Sequence, residues 1–197
     1  MIVIAAVTVG AIVAASFVLP GLIHKNSASA GAEHAMAMGA NMGEGLPVGS
    51  RVPSFSARDV ETGRLISSGT LFPKKTLLFF SEGVMCQACF QQIKDIESFG
   101  SQLEKRGISL VSITPDSPGE LDQVIRQIGI TTPMIADTSR SMSEAFNTLG
   151  RGMHSNTPGH AFALIYRGKV LWYRDYWLPP DSTMYVKPAK LLADIPT

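Results

Sequence analysis

From residue 76 onward, apolar positions alternate between two spacings. Residues 76 to 80, TLLFF, form a short continuous apolar run of the kind buried in a central strand. Phe90, Ile93, Ile96, Phe99 and Leu103 then recur at three- and four-residue steps, predicting an amphipathic helix that ends near Gly107. The run ISLVSIT at 108 to 114 predicts the next strand, broken by Pro115. Leu121, Val124, Ile125 and Ile128 mark a second helix, and PMIAD at 133 to 137 a brief strand. Met142, Ala145, Phe146 and Leu149 mark a third helix. HAFALIY and KVLWYRDYW flank Arg167-Gly168, a hairpin signal. KPAKLLADI predicts a closing helix that tolerates Pro188 in its first turn. Strand–helix alternation ending in a hairpin and a last helix predicts an α/β domain, with a mixed central sheet and helices on both faces.

The N-terminal part reads differently. Residues 1 to 23, MIVIAAVTVGAIVAASFVLPGLI, carry no charged side chain. As a helix they would extend about 34 Å at ~1.5 Å per residue, against a hydrocarbon core of about 30 Å. A transmembrane anchor or export signal is expected here. ASA at 28 to 30 resembles a signal cleavage site, whereas the length of the apolar run favours a retained anchor. Lys25, the first flanking charge, follows the run and by the positive-inside rule would point the other way from export. The expectation adopted is a membrane-anchored protein with its folded domain outside the cytoplasm. Residues 24 to 49, rich in Ala, Gly, Ser and Met without apolar period, read as a flexible linker. The folded domain is then expected over 50 to 197.

Composition narrows the function classes. Hydrophobic residues make up 45% of 197, enough for a core without disulfide staples, and the formal net charge of +1 gives no basic excess for nucleic acid. No phosphate-binding glycine loop, Ser/His/Asp set or tetrahedral zinc spacing is present. The only two cysteines, Cys86 and Cys89, lie in LLFFSEGVMCQACFQQI. Such a pair can be a redox couple, half of a metal site, or two inert core thiols. Its address, the turn between a central strand and the next helix, is where ligand sites of open α/β sheets lie. Cys86 at a helix N-terminus meets free N–H groups and the macrodipole, which favour a thiolate. Cys89, one turn on, can share its face and close a small ring.

LLFFSEGVMCQACFQQI, LVSITPDSP, MSEAFNTLG and HAFALIYRGKVLW resemble the successive landmarks of redoxins. This is the thioredoxin-fold group that includes the AhpC/TSA proteins and membrane-tethered thiol-disulfide oxidoreductases. The resemblance covers about residues 47 to 195. It implies a thioredoxin-like fold, Cys86 as nucleophile and Cys89 as the resolving thiol. Two departures matter. Peroxidatic members resemble one another in a Thr or Ser three residues before the attacking cysteine, where this chain has Gly83, and in an Arg before the late strand, where it has TPGHA ahead of Phe162. Thioredoxin-like members also place a cis-proline against the cysteines. Pro158 is the candidate, although the count from Phe162 puts Gly159 there.

His160 is similar in position to a histidine of Sco-type copper chaperones, whose cysteine pair is spaced CxxxC. Cys86, Cys89 and His160 could therefore hold Cu(I), with His34, Met36, Met38 and Met42 of the linker as further soft donors. The bland alternatives are a hydrogen-bonded histidine at the rim, which could also donate to a Cys86 thiolate, and a linker whose methionines reflect composition. Glu82 could take a proton from Cys89, or be a solvated turn carboxylate. Trp172, Tyr173, Tyr176 and Trp177 could offer a partner surface, while strand alternation sends about half of them into the core.

The reading is a membrane-anchored thiol-disulfide oxidoreductase acting on a protein dithiol or disulfide partner through a redox-active Cys86–Cys89 disulfide. It requires no cofactor and has no nucleic-acid partner; the direction of exchange stays open, and the likeness to tethered redoxins implies a membrane electron donor if the pair acts as a reductant. The alternatives are a Cu(I)-binding chaperone and a thiol peroxidase with antioxidant activity.

Overall fold

A computed structural model describes residues 45–71 and 73–197. The expected span at 1 to 23 and most of the linker lie outside the described residues. Among the described residues, no helix is long and apolar enough to cross a membrane.

Among the described residues, seven strands form one sheet: β1 (Ser56–Asp59), β2 (Leu65–Ser67), β3 (Lys75–Phe80), β4 (Ile108–Thr114), β5 (Met134–Ala136), β6 (Ala161–Tyr166) and β7 (Lys169–Asp175), in the order β2-β1-β5-β4-β3-β6-β7. β3, β4 and β5 run parallel; on one side β6 pairs antiparallel with β3 and β7 with β6, and on the other β1 pairs antiparallel with β5 and β2 with β1. The helices are α1 (Ser68–Leu71), α2 (Gln87–Ser98), α3 (Gly100–Lys105), α4 (Pro118–Ile128), α5 (Ser141–Ala145) and α6 (Pro188–Asp194). This is an α/β thioredoxin-like fold, a mixed sheet with helices on both faces.

Strand alternation divides the interior in two. Leu77 and Phe79 of β3 face a core built with Phe90, Ile93 and Ile96 of α2 and Leu191 and Leu192 of α6. Leu78 and Phe80 face the opposite core, with Val111, Ile113, Met142 and Phe146. β3 is therefore buried on both sides, which is why its sequence is an unbroken apolar run rather than an alternating one. Helix α4 begins at a capping box between Ser117 and Glu120, with Pro118 in its first turn, and ends on Gly129 in the left-handed conformation. The β6–β7 hairpin turns at Arg167 and Gly168, both at positive φ, as the dipeptide predicts.

Three features differ from the sequence reading. The β1–β2 hairpin is unannounced: its strands are only four and three residues long, and their outward side chains leave too little alternation to detect. The helix expected up to Gly107 is broken at Phe99 (φ −101°, ψ 9°), which ends α2 and opens α3. The packed body also starts before Ser50. Leu46 packs on the second core, and the Gly49 N–H donates to Val170 O at 2.7 Å.

Candidate active site

β3 delivers the chain to the site and the residues after it set the geometry. Gly83 takes φ +83°, which opens a 3₁₀ turn over Gly83–Met85. The Cys86 N–H donates to Gly83 O at 2.9 Å, leaving Cys86 in an extended conformation as the N-cap of α2. There its Sγ accepts the Cys89 N–H at 3.2 Å, so the sulfur does what a serine or aspartate oxygen does at other caps. Cys86 and Cys89 are joined as a disulfide with Cα atoms 5.3 Å apart. Both are buried, Cys86 at 2% exposure, while the adjoining Met85 stands out at 73%. The expected placement of the pair on a strand–helix turn is what the structure has.

β6 lies antiparallel to β3, with Ala161 opposite Phe80, so His160 arrives beside the same turn. Its Nδ1 is 3.9 Å from Cys89 Sγ, and its Nε2 is 3.2 Å from Gln92 Oε1. The contact is with Cys89, not with Cys86 as the donor role considered for it required. His160 is fully buried, its ring steeply inclined to the stacked rings of Phe79 and Phe162, and burial pushes its imidazole down to about 3, so it is neutral near pH 7. Gln92 was missed by sequence reasoning, which followed the apolar stripe of α2. The available signal was its spacing of three from Cys89, which puts both on one helix face.

The other candidates take different roles. Glu82 is not a solvated turn carboxylate: it is 1% exposed. Its Oε1 accepts the His154 N–H and the Thr157 hydroxyl, both at 2.9 Å, so it clamps the 152–157 loop and has no hydrogen bond to either cysteine. Gly152 makes the clamp feasible, since a Cβ there would lie 2.2 Å from Glu82 Oε1. Pro158 is buried and bridges Leu149 across the base of that loop. Its preceding peptide bond is trans, the one cis bond among the described residues being Pro179-Pro180, so the cis-proline role does not apply to it. Of the aromatic cluster, half enters the core as strand alternation suggested: Tyr173 and Tyr176 are buried, whereas Trp172 and Trp177 are half-buried and pack against the core. His34, Met36, Met38 and Met42 lie outside the described residues.

Asp116, at the end of β4, is a further residue that the sequence did not single out. Its Oδ2 accepts the Val84 N–H at 3.0 Å, and burial pushes its carboxyl up. A Cβ on Gly83 would lie 1.9 Å from that same oxygen. Beside Cys86, an open groove of about 350 Å³ runs between α2 and α4, lined by Val84, Gln87, Phe90, Val124 and Ile128.

A sequence profile of the AhpC/TSA family matches residues 48–172. The chain belongs to the AhpC/TSA family. It is accordingly a thioredoxin-like redoxin, a thiol-based oxidoreductase. Curated relatives of this family member include the provisionally assigned peroxiredoxin bcp of Haemophilus influenzae, 25% identical over 105 residues, covering 53% of this chain and 67% of the relative. A provisionally assigned bcp peroxiredoxin of Helicobacter pylori is 26% identical over 110 residues, 56% of this chain and 72% of the relative. Among solved structures, peroxidoxin BcpB from Mycobacterium tuberculosis aligns with a TM-score of 0.62 at 20% identity, over 76% of this chain and 96% of that one. A peroxiredoxin-like protein from Aquifex aeolicus aligns at 0.63 and 16%, over 77% and 86%. Identities this low establish the shared fold.

Proposed function

We propose that this AhpC/TSA protein performs thiol–disulfide exchange with a protein partner, Cys86 attacking and Cys89 resolving. The reduced Cys86 thiolate attacks one sulfur of a partner disulfide, forming a mixed disulfide and releasing the first partner thiolate. Cys89 then loses its proton and attacks Cys86 Sγ, and the second partner thiolate leaves. Two electrons pass to the partner and the Cys86–Cys89 disulfide is formed; of the two protons the partner thiolates take up, one is that lost by Cys89 and the other comes from water, replacing the one Cys86 gave up on ionising. A reductant of thiol class, fed by a membrane electron donor, resets the pair. Residues 1 to 23 anchor the chain, a linker follows, and the redoxin domain works outside the cytoplasm.

One observation carries the choice of electrophile. Where peroxidatic relatives resemble one another in a hydroxyl donor, this chain has Gly83 backed by the Asp116 carboxylate. An acceptor-bearing carboxylate is the wrong group for polarising a peroxide bond, which calls for donors aimed at the leaving oxygen. The exposed Met85 and the α2–α4 groove beside Cys86 offer instead a surface on which a polypeptide can seat. The thiol-peroxidase reading is favoured by the peroxiredoxin names of the relatives, and it uses the same two cysteines.

The test is trapping. Cys89→Ser is expected to accumulate a covalent mixed disulfide with a disulfide-bearing protein, released by reductant, and Cys86→Ser to accumulate none. Loss of peroxide at a rate far above that of a free thiol, unaffected by partner disulfides, would transfer the assignment to the peroxidase. Sedimentation with membranes of the full chain, and not of a chain lacking residues 1 to 23, tests the anchor.

A further inference from the structure

Cys89 and His160 meet where neither touches solvent, and the direction of their contact can be read from Gln92. Gln92 Oε1 accepts the Val186 N–H at 2.7 Å and lies 3.2 Å from His160 Nε2. A backbone N–H can only donate, so Gln92 must present its oxygen here, and His160 Nε2 must carry the ring proton to bond it. In a neutral imidazole the other nitrogen is then a bare acceptor. That nitrogen, Nδ1, is the one facing Cys89 Sγ at 3.9 Å.

The consequences differ for the two reduced cysteines. An S–H on Cys89 finds an acceptor in Nδ1, whereas a Cys89 thiolate would face a lone pair inside a buried pocket. Cys86 has the opposite surroundings: its sulfur receives the Cys89 N–H at the start of α2, which favours the anion. We propose that Gln92 and His160 hold Cys89 as a neutral thiol, splitting the acidities of the pair so that Cys86 makes the first attack and Cys89 acts only in the resolving step. This rests on the exchange cycle proposed above and explains its order. Gln92 is a positioning residue, acting through the ring that touches the reacting sulfur.

The ionisable groups around the pair do not compete for this contact. Glu82, on the turn before α2, is committed to the 152–157 loop. Asp116, from the end of β4, accepts the Val84 N–H. Asp175, ending β7, accepts the Trp177 N–H. Tyr176, whose N–H bonds His160 O, turns its hydroxyl to Asp194, and Asp95 of α2 accepts from Tyr185. Among the described residues, none of these hydrogen-bonds the His160 ring.

Nuclear magnetic resonance on the reduced full-length chain tests this without relying on turnover. Ring ¹⁵N shifts are expected to show Nε2 protonated and Nδ1 unprotonated from about pH 5 to about pH 8. Cysteine ¹³Cβ titrations are expected to show Cys89 ionising only above the ordinary thiol value of about 8.5, and Cys86 well below it. Gln92→Leu frees the ring to turn an N–H toward Cys89, lowering its midpoint by about one pH unit, a tenfold change in acidity, with Cys86 little altered. Gln92→Glu, which can still accept from Val186 and Nε2, is expected to restore the wild-type tautomer. A wild-type ring protonated on Nδ1, or a Cys89 midpoint at or below that of Cys86, overturns the inference, even if the leucine variant fails to fold. Exchange that proceeds with equal acidities defeats this inference alone. Split acidities without any exchange defeat the functional reading alone.

Discussion

The Asp116 carboxylate fills the space that a side chain at Gly83 would need, its Oδ2 lying 1.9 Å from where an ideal Cβ would be placed. Gly83 also adopts φ +83°, a conformation that side-chain-bearing residues rarely take. The position three residues before Cys86 thus favours glycine on two counts, and a hydroxyl-bearing side chain there has to strain the backbone and displace Asp116. Gly83→Thr is expected to destabilise the fold by roughly 1–3 kcal/mol, from backbone strain and displacement of Asp116. It should leave peroxide consumption no higher than in the wild type. Urea unfolding and a peroxide-consumption assay on the same preparation check both halves.

Glu82 and Gly152 form a second fixed relationship, this time across the 152–157 loop that Glu82 holds. Gly152→Ala would drive a methyl group against Glu82 Oε1 and, 2.6 Å away, Pro158 O. The expected result is faster amide hydrogen exchange across residues 152 to 157, in either Gly152→Ala or Glu82→Ala. The glutamate variant loses the acceptor for the His154 N–H, and about 1–3 kcal/mol of local stability follows from such a loss. Protection confined to its wild-type level in both variants would show that the clamp is dispensable.

Far from the cysteines, Glu97 ties α2 to the strand connection at Thr131 and Thr132. Burial pushes its carboxyl up, but hydrogen bonds from Lys94 and from the backbone and side-chain groups of Thr131 and Thr132 outweigh this and hold it below its ordinary 4.5. The sign follows: a carboxylate whose folded-state value is depressed stabilises the fold above its unfolded value, and that contribution is lost as pH falls through the folded value. Glu97→Gln should therefore be less stable than the wild type at pH 7, by about 1 kcal/mol from the weakened charge-assisted bonds. The two should converge below about pH 4. Denaturant midpoints across pH measure this directly.

Copper is a further discriminating ligand for the same residues. With Cys89 held as a thiol against a bare His160 nitrogen, exchange chemistry predicts that Cu(I) added to the reduced full chain passes to a thiol-competitive chelator. Retention at one ion per chain, abolished by Cys86→Ser or Cys89→Ser and weakened by His160→Ala, would instead make the cysteines metal ligands.

The sequence carried the site's address more fully than its workings. The continuous apolar run before the cysteines, the stripe of α2 and the Arg167-Gly168 turn each have a strong local cause, so the sheet's centre and the cysteines' place at its rim were legible. The β1–β2 hairpin was not, since short edge strands have few positions to alternate. Roles that depend on residues distant in sequence were also hidden. Glu82 reads locally as a turn carboxylate, and only the return of the 152–157 loop buries it. Gln92 reads as a polar interruption of an apolar stripe, and only the Val186 N–H, 94 residues away, fixes which end of its amide faces His160. Asp116 matters because β4 lies parallel to β3 and ends beside the same turn.

The most direct measurement compares oxidation of the reduced full-length chain by a protein disulfide and by hydrogen peroxide, followed by stopped flow at equal oxidant concentrations. The disulfide is expected to oxidise the Cys86–Cys89 pair at least about tenfold faster, with Cys89→Ser halting at the mixed disulfide, and peroxide to react no faster than with an ordinary thiolate. Oxidation by peroxide orders of magnitude faster than by any disulfide would contradict this, and would show that Gly83 and Asp116 are no obstacle to a peroxidase.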